Sequence, residues 1–253
     1  MKALITGATS GIGQSIARNL SRRGWSLILT GRNEKVLKSL QLELETDTEI
    51  ITAELSDKNE VFRVYDFCKN KSVDMLVNNA GYGVFGKFDE TDLRDELDMI
   101  NVNITALHIL TKLFLRDFKK RNRGIILNVA SSAGFMTGPL LSSYYASKNY
   151  VVRLSLAIAE ELRRDHSKVS VTILCPGPVD TNFNKRAGVS FSVKPISADF
   201  AAEYAIEKAL AGKLIAVPTL AVKASVFGSR FLPHKLLSAI SYNIQKSKVN
   251  DDE

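Results

Sequence analysis

Tyr144 and Lys148 lie four residues apart in Tyr144-Tyr145-Ala146-Ser147-Lys148, a stretch whose pattern predicts the opening of a helix. Residues four apart on a helix face one another, so the phenol and the ammonium share one face. A free tyrosine, with a pKa of ~10, is a poor acid–base group at neutral pH. A neighbouring ammonium stabilises the phenolate and is expected to bring that proton into a useful range. Alone, the spacing is common and would more often decorate a surface. Ser131 changes its meaning, because it lies 13 residues before Tyr144 and just past the apolar run Gly124–Val129. Open α/β sheets bind ligands at the carboxyl ends of their strands. A hydroxyl there can hydrogen-bond a substrate carbonyl while Tyr144 supplies the proton. Ser132 is adjacent, and chemistry alone does not separate the two.

A second group of residues suits a dinucleotide. Thr6-Gly7-Ala8-Thr9-Ser10-Gly11-Ile12-Gly13 joins a short apolar strand to an amphipathic helix. Gly7 can take a backbone shape closed to other residues, Gly11 lets the chain approach a pyrophosphate, and Gly13 lets the helix sit near the sheet. The helix start then presents free N–H groups to the phosphates. A glycine-rich octet can be merely a tight turn; the strand before it and the helix after it favour the dinucleotide. The second strand ends Leu29-Thr30-Gly31-Arg32-Asn33, with no carboxylate before Glu34. An acidic residue there would hold the ribose hydroxyls of NAD, whereas a planar guanidinium suits the 2′-phosphate of NADP. NADP(H) is the expected cofactor, and Arg32 the residue that selects it.

These groups need a scaffold, and the chain supplies alternating elements. Candidate strands are Lys2–Thr6, Ser26–Thr30, Glu49–Ala53, Val73–Val77, Gly124–Val129, Val169–Leu174 and Leu214–Val217. Several are nearly continuous apolar runs, as expected of strands covered on both faces. Helical spacing marks Gly13–Arg23, Glu34–Leu44, Asn59–Lys69, Thr91–Lys120, Ser143–Arg164 and Ala198–Ala211. This alternation predicts an α/β fold with a parallel sheet. No linker or repeat divides the chain, so residues 1–253 are expected to form one domain.

At this point the chain resembles the short-chain dehydrogenase/reductase family, in its single-domain branch of about this length. The resemblance rests on the Thr6–Gly13 turn, Asn78-Asn79-Ala80-Gly81, Asn103, Ser131, Tyr144, Lys148 and Pro176-Gly177-Pro178-Val179-Asp180-Thr181, in order across residues 1 to about 181. It implies a doubly wound Rossmann fold, a seven-stranded, mostly parallel sheet with helices on both faces. It also implies Tyr144 as proton donor, Ser131 as the group orienting the carbonyl, and Lys148 as a further contact to the nicotinamide ribose. Asn103 would hold a water linking Lys148 to solvent, and Asn78 to Gly81 would line the cofactor cleft. Pro176 to Thr181 would cover the nicotinamide, with Val179 and Thr181 near its carboxamide. One position departs from the pattern: Glu54-Leu55-Ser56-Asp57 stands where the family usually carries an aspartate near the adenine. Glu54 puts that carboxylate on a longer arm, so the backbone at Leu55 gains weight there.

Other chemistries find less support. His108, His166 and His234 are far apart and no Cys/His spacing matches a zinc site, so no metal is expected. His108 reads as a packed or interface residue. No Gly-x-Ser-x-Gly elbow of a serine hydrolase occurs. The two cysteines, Cys68 and Cys175, read as buried hydrophobes in a reducing compartment. No apolar run is long enough to cross a membrane and no signal peptide is apparent, so a cytoplasmic protein is expected. The net charge of +7 is mostly dispersed among acids and does not predict nucleic-acid binding.

Residues 182–197 read as a substrate lid, and Met136 and Phe135 as candidate pocket residues. Thr219 to Lys248 reads as a basic amphipathic helix pair that covers the core or a substrate channel, joins a partner or lies on an anionic membrane. The expected partners are a small carbonyl or alcohol substrate, lipid-like in character, and further copies of the chain in a homodimer or homotetramer. Thr91–Lys120 and Ser143–Arg164 would build that interface. The function that follows is NADPH-dependent reduction of a ketone or aldehyde. The competing reading is a catalytically silent NADP(H) sensor, which would normally have lost Tyr144, Lys148 or Ser131.

Overall fold

A computed structural model describes residues 1–181 and 195–246. Seven strands form one sheet: β1 (Lys2–Thr6), β2 (Ser26–Gly31), β3 (Thr48–Thr52), β4 (Met75–Asn78), β5 (Gly124–Val129), β6 (Val169–Leu174) and, after a small side pair, β9 (Ile215–Ala216). Their order is β3-β2-β1-β4-β5-β6-β9, and every neighbouring pair is parallel. The side pair is β7 (Val179–Asp180) with β8 (Ile196–Ser197).

The strands are apolar on both faces because helices cover both. Side chains alternate along a strand, so Ala3 and Ile5 of β1 face one layer and Leu4 the other. The first layer holds α1 (Gly11–Arg22), α2 (Glu34–Glu43) and α7 (Ala198–Leu210). There Ala201, Ala202 and Ala205 let α7 lie close to α1. The second holds α3 (Lys58–Cys68), α5 (Leu107–Arg121) and α6 (Ser142–Arg164), with Phe114 and Phe118 at its centre. Two further helices close the chain, α8 (Leu220–Gly228) and α9 (His234–Lys246).

The long helix expected over Thr91–Lys120 is not uniform. It begins as α4 (Leu93–Ile100), widens to a π-helical segment over Asn101–Ala106, and continues as α5. A π turn takes up an extra residue and is frequent at functional sites; Asn103, within this one, is 1% exposed. His108 lies on the solvent side and is not buried; its ring packs against Tyr150, with Nδ1 2.7 Å from the Tyr150 hydroxyl. No helix among the described residues is long and apolar enough to cross a membrane.

The chain leaves β1 towards β3 and then crosses back to place β4 on the other side of β1. Loops from the two carboxyl ends diverge at this reversal and leave a crevice.

Candidate active site

A cleft of about 600 Å³ opens at that crevice. Its floor begins with the glycine turn, held down by a clasp. The Thr6 hydroxyl accepts the Asn79 and Ala80 amides at 2.9 and 3.0 Å, and Asn79 Nδ2 donates to the Thr6 and Gly7 carbonyls at 3.0 and 3.1 Å. Gly7 has φ +64, a left-handed conformation that favours glycine. A Cβ on Gly13 would stand 2.3 Å from the Gly7 carbonyl oxygen, so the helix can pack this tightly only with glycine there. Gly7, Thr9, Ser10, Gly11 and Ile12 line the cleft, whereas Thr6 and Gly13 lie beneath the turn and shape it.

The start of α1 fits an anion. Asn33, Asp57 and Asp92 cap α2, α3 and α4 with side-chain hydrogen bonds. Ser10 makes no such bond to α1, whose first turn carries no acid. Its leading N–H groups therefore point to the cleft without a capping side chain or a competing carboxylate, as a pyrophosphate requires. Gly11 adds room: a Cβ there would meet Thr181 Cγ2 at 2.8 Å.

Arg32 stands on the cleft wall with Glu54 and Leu55. Its Nη1 lies 3.4 Å from Glu54 Oε2, and both side chains are about half exposed. Positive charge is thus present on this part of the wall, with a carboxylate beside it. The sequence had offered Glu54 only as an adenine contact.

Across the cleft, Ser131 follows β5 and Tyr144 and Lys148 sit in the first two turns of α6. Ser131 Oγ hydrogen-bonds the Tyr144 phenol, accepts the Ala133 amide at 3.2 Å and donates to the Pro176 carbonyl at 3.4 Å. Ser132 also lines the cleft, but the hydrogen bond to Tyr144 distinguishes Ser131 from it. Lys148 is 5% exposed, and its Nζ donates to the Val129 carbonyl at 3.0 Å.

The electrostatics correct one expectation. Burial pushes the Tyr144 phenol well above its ordinary value, and the Ser131 hydrogen bond only partly offsets this. Burial likewise pulls Lys148 down to about 8. Burial shifts both groups towards their neutral forms because a low-dielectric cleft penalises charge, and the lysine does not outweigh that for the phenol. Tyr144 is therefore held protonated, which suits a proton donor. Cys175, beside Lys148, is pushed up to about 12 by burial.

Asn103 does not line the cleft. Its Nδ2 donates to the Tyr82 carbonyl at 2.9 Å and to Ser147 Oγ at 3.0 Å, while its Oδ1 accepts the Tyr82 amide at 3.1 Å. It fastens the Ala80–Tyr82 loop to α6, and a Cβ on Gly81 would stand 3.0 Å from Asn103 Oδ1 and 3.2 Å from Lys148 Nζ. Asn78 is also beneath the cleft, bonded to Thr111 and Asn128. Asn79, Ala80, Gly81, Pro176, Gly177, Val179 and Thr181 are on the wall. The expected lid falls outside the described residues, except for residues 195–197, the last two of them forming β8.

Of the far wall, the sequence offered Met136, which lines it, Phe135, which packs on the core instead, and the C-terminal helices, but not Tyr145. Tyr145 lines it beside Tyr144, their rings edge-on with centroids 6.1 Å apart. Its hydroxyl accepts a hydrogen bond from Gln245 of α9, a residue with no exposure. Val222 of α8 sits against Gly177, where a Cβ would approach Val222 Cγ2 to 2.7 Å. With Met136, Leu141 and Val222 apolar and Ser241 and Gln245 polar, this end suits a mainly apolar molecule with one or two polar groups. No cluster of potential metal ligands occurs among the described residues.

Comparison with known proteins places this geometry. The family model for the short chain dehydrogenases matches residues 1–189. A very-long-chain 3-oxoacyl-CoA reductase of Mycosarcoma maydis is 33% identical over 192 residues, covering 72% of this chain and 54% of that protein. The chain thus spans about half the length of that relative. An uncharacterized oxidoreductase of Staphylococcus epidermidis is 34% identical over 182 residues, 71% of this chain and 78% of its own. Among solved structures, a short-chain dehydrogenase of Sphingobium yanoikuyae in complex with NADPH superposes with a TM-score of 0.82 at 28% identity, covering 90% of this chain and 93% of the other. One from Burkholderia phymatum in complex with NAD superposes with a TM-score of 0.80 at 24% identity, over 89% and 91% of the two chains.

Proposed function

Since the chain belongs to the short-chain dehydrogenase/reductase family, we propose that this oxidoreductase uses NADPH to reduce a ketone or aldehyde carried on a largely apolar molecule. The carrying observation is the hydrogen bond, on the cleft wall, between Ser131 and a Tyr144 phenol held protonated one helical turn from Lys148. The uncapped start of α1 and the glycine turn would hold the pyrophosphate, Arg32 the 2′-phosphate, and Gly81, Pro176, Val179 and Thr181 the nicotinamide end. A bound nicotinamide supplies the hydride.

The chain's own residues manage position and protons. Ser131 Oγ orients the substrate oxygen towards Tyr144 Oη, which gives up its proton as negative charge develops there. Lys148, a cation at neutral pH, lies on the same helix face and stabilises the phenolate left behind. Asn103 holds the loop and α6 in register and so positions Lys148. Met136, Leu141 and Val222 exclude water from the substrate end.

The reading also includes self-association through the outer faces of α4–α5 and α6, which light scattering after size exclusion measures. The main test is NADPH consumption with ketones, 3-oxoacyl thioesters, steroids and quinones, for native protein and Tyr144→Phe. Turnover should fall by ~10²–10⁴-fold in the variant with NADPH affinity retained. Equal turnover would reject the proton-donor role. Tight NADPH binding with no turnover on any substrate would favour a sensor.

A further inference from the structure

The chain's net charge is not evenly spread. Residues 208–250 contain seven lysines and arginines and no aspartate or glutamate, enough by themselves to account for the net charge of +7. Elsewhere the basic groups are commonly paired, as Arg18 is with Glu43 and Arg163 and Arg164 are with Glu160. Among the described residues, Lys223, Arg230, Lys235 and Lys246 form no ion pair.

The same segment carries an apolar stripe turned outward. Leu220, Ala224 and Phe227 of α8 follow one another at helical steps, and Phe231 continues the line just past the helix end. Leu220 is 81%, Phe227 61% and Phe231 72% exposed, and the two phenylalanine rings pack edge-on 5.2 Å apart. On α9, Leu236 and Ile240 are exposed one turn apart. Single exposed apolar residues are ordinary; a contiguous row with aromatic rings marks an interaction surface.

We propose that the outer face of α8 and α9 docks on an anionic lipid bilayer, with Phe227 and Phe231 entering the interface and Lys223, Arg230 and Lys235 meeting the headgroups. Apolar side chains flanked by unpaired cations are what an interfacial helix needs. A second copy of the chain is the poorer occupant. A two-fold contact would set this patch against itself, bringing together two acid-free basic segments that repel. The inner sides of the same helices, through Val222, Ser225 and Ser241, wall the cleft, so docking holds its substrate end at the membrane. Docking does not depend on turnover, and failure of one leaves the other standing.

The test is sedimentation of the full chain with vesicles of equimolar phosphatidylglycerol and phosphatidylcholine, and with phosphatidylcholine alone. The native protein should pellet with the anionic vesicles and stay in solution with the neutral ones, and high salt should release it. Lys223→Glu/Arg230→Glu/Lys235→Glu should weaken binding by roughly a hundredfold or more. Phe227→Ser/Phe231→Ser should weaken it at least ~tenfold. Unchanged melting temperature and NADPH affinity would show that each variant folds. Should the pair fail to fold, Phe231→Ser alone, beyond the end of α8, serves instead. Three results would each overturn the proposal: equal binding to both vesicles, no loss in the phenylalanine variants, or native protein that ignores vesicles while those variants shift its oligomeric state.

Discussion

Arg32 and Glu54 set up an opposed pair of substitutions. Their closest atoms are 3.4 Å apart and both side chains are about half in solvent. An exposed pair of this kind contributes ~0–1 kcal/mol, so Glu54 holds the guanidinium only weakly. A guanidinium forked onto a phosphate contributes ~1.5–3 kcal/mol, towards the low end where water screens it. Arg32→Ala should therefore raise the NADPH dissociation constant about tenfold, and at most a hundredfold, and move that of NADH less than about twofold. Glu54→Gln should do the reverse, improving the NADPH-to-NADH affinity ratio by about two- to fivefold as ~0.5–1 kcal/mol of competition disappears. NADH is the internal control, because the adenine is common to both cofactors and any effect of Glu54→Gln on it cancels in the ratio. Fluorescence titration at low and high salt measures all four constants, and both effects should shrink as salt rises. If Arg32→Ala weakens both cofactors equally, Arg32 does not read the 2′-phosphate and the NADP assignment fails.

Gly13→Ala forces a methyl to 2.3 Å from the Gly7 carbonyl oxygen and 2.5 Å from Asn79 Nδ2. The backbone must move, at a cost of ~1–3 kcal/mol, which calorimetry should show as a melting temperature lower by about 3–10 °C, together with weaker NADPH binding. Lys148 titrates near 8 in the fold against 10.5 ordinarily, so the native state holds fewer protons than the unfolded one between those values. Its contribution to stability therefore rises with pH across that window. Above pH 9 the thiols Cys68 and Cys175, pushed up to about 12, act in the opposite sense because only the unfolded chain loses their protons. Denaturant titrations should show native stability gaining on Lys148→Met between pH 8 and 9; a flat difference would mean the ammonium is not desolvated. The same thiols should resist an aromatic disulfide reagent in folded protein and react once it is unfolded.

The cofactor half of the cleft was legible because each of its parts is local. A strand, a glycine turn and a helix start lie within thirteen residues, and Arg32 ends the next strand. Tyr144 and Lys148 were legible for the same reason. The substrate half is built from contacts across the chain, such as that from Gln245 to Tyr145, 100 residues apart, and no spacing records such a contact. The π segment escaped notice because Leu97, Ile100, Ile104 and Leu107 keep three- and four-residue steps through it. Asn101 and Asn103, two amides interrupting an apolar stripe, were the available signal. The direction of the Tyr144 shift escaped because adjacency can be read from a sequence and desolvation cannot.

What fixes α6, the helix that carries Tyr144 and Lys148, is polar and lies where an apolar core would have served. Asn78 on β4 donates to Thr111 of α5 and to Asn128 on β5, each at 2.9 Å, and Asn128 donates to Ser155 of α6 at 2.9 Å. All four residues are buried. Apolar packing holds elements together but tolerates sliding by a fraction of a turn, since many neighbouring arrangements bury similar area. Hydrogen bonds between buried side chains tolerate it poorly, because a small slip leaves donors unpaired at ~1–3 kcal/mol each. Ser155 lies seven residues after Lys148, close to the same face of α6, so the chain sets that helix's register and rotation against the sheet. The Asn103 bond to Ser147 does the same one turn beyond Tyr144. Tyr144 and Lys148, both on α6, are thus indexed from two sides against Ser131, just past the end of β5. Under the proposed mechanism this register is what lets a phenol, a serine hydroxyl and an ammonium from two elements converge on one substrate oxygen.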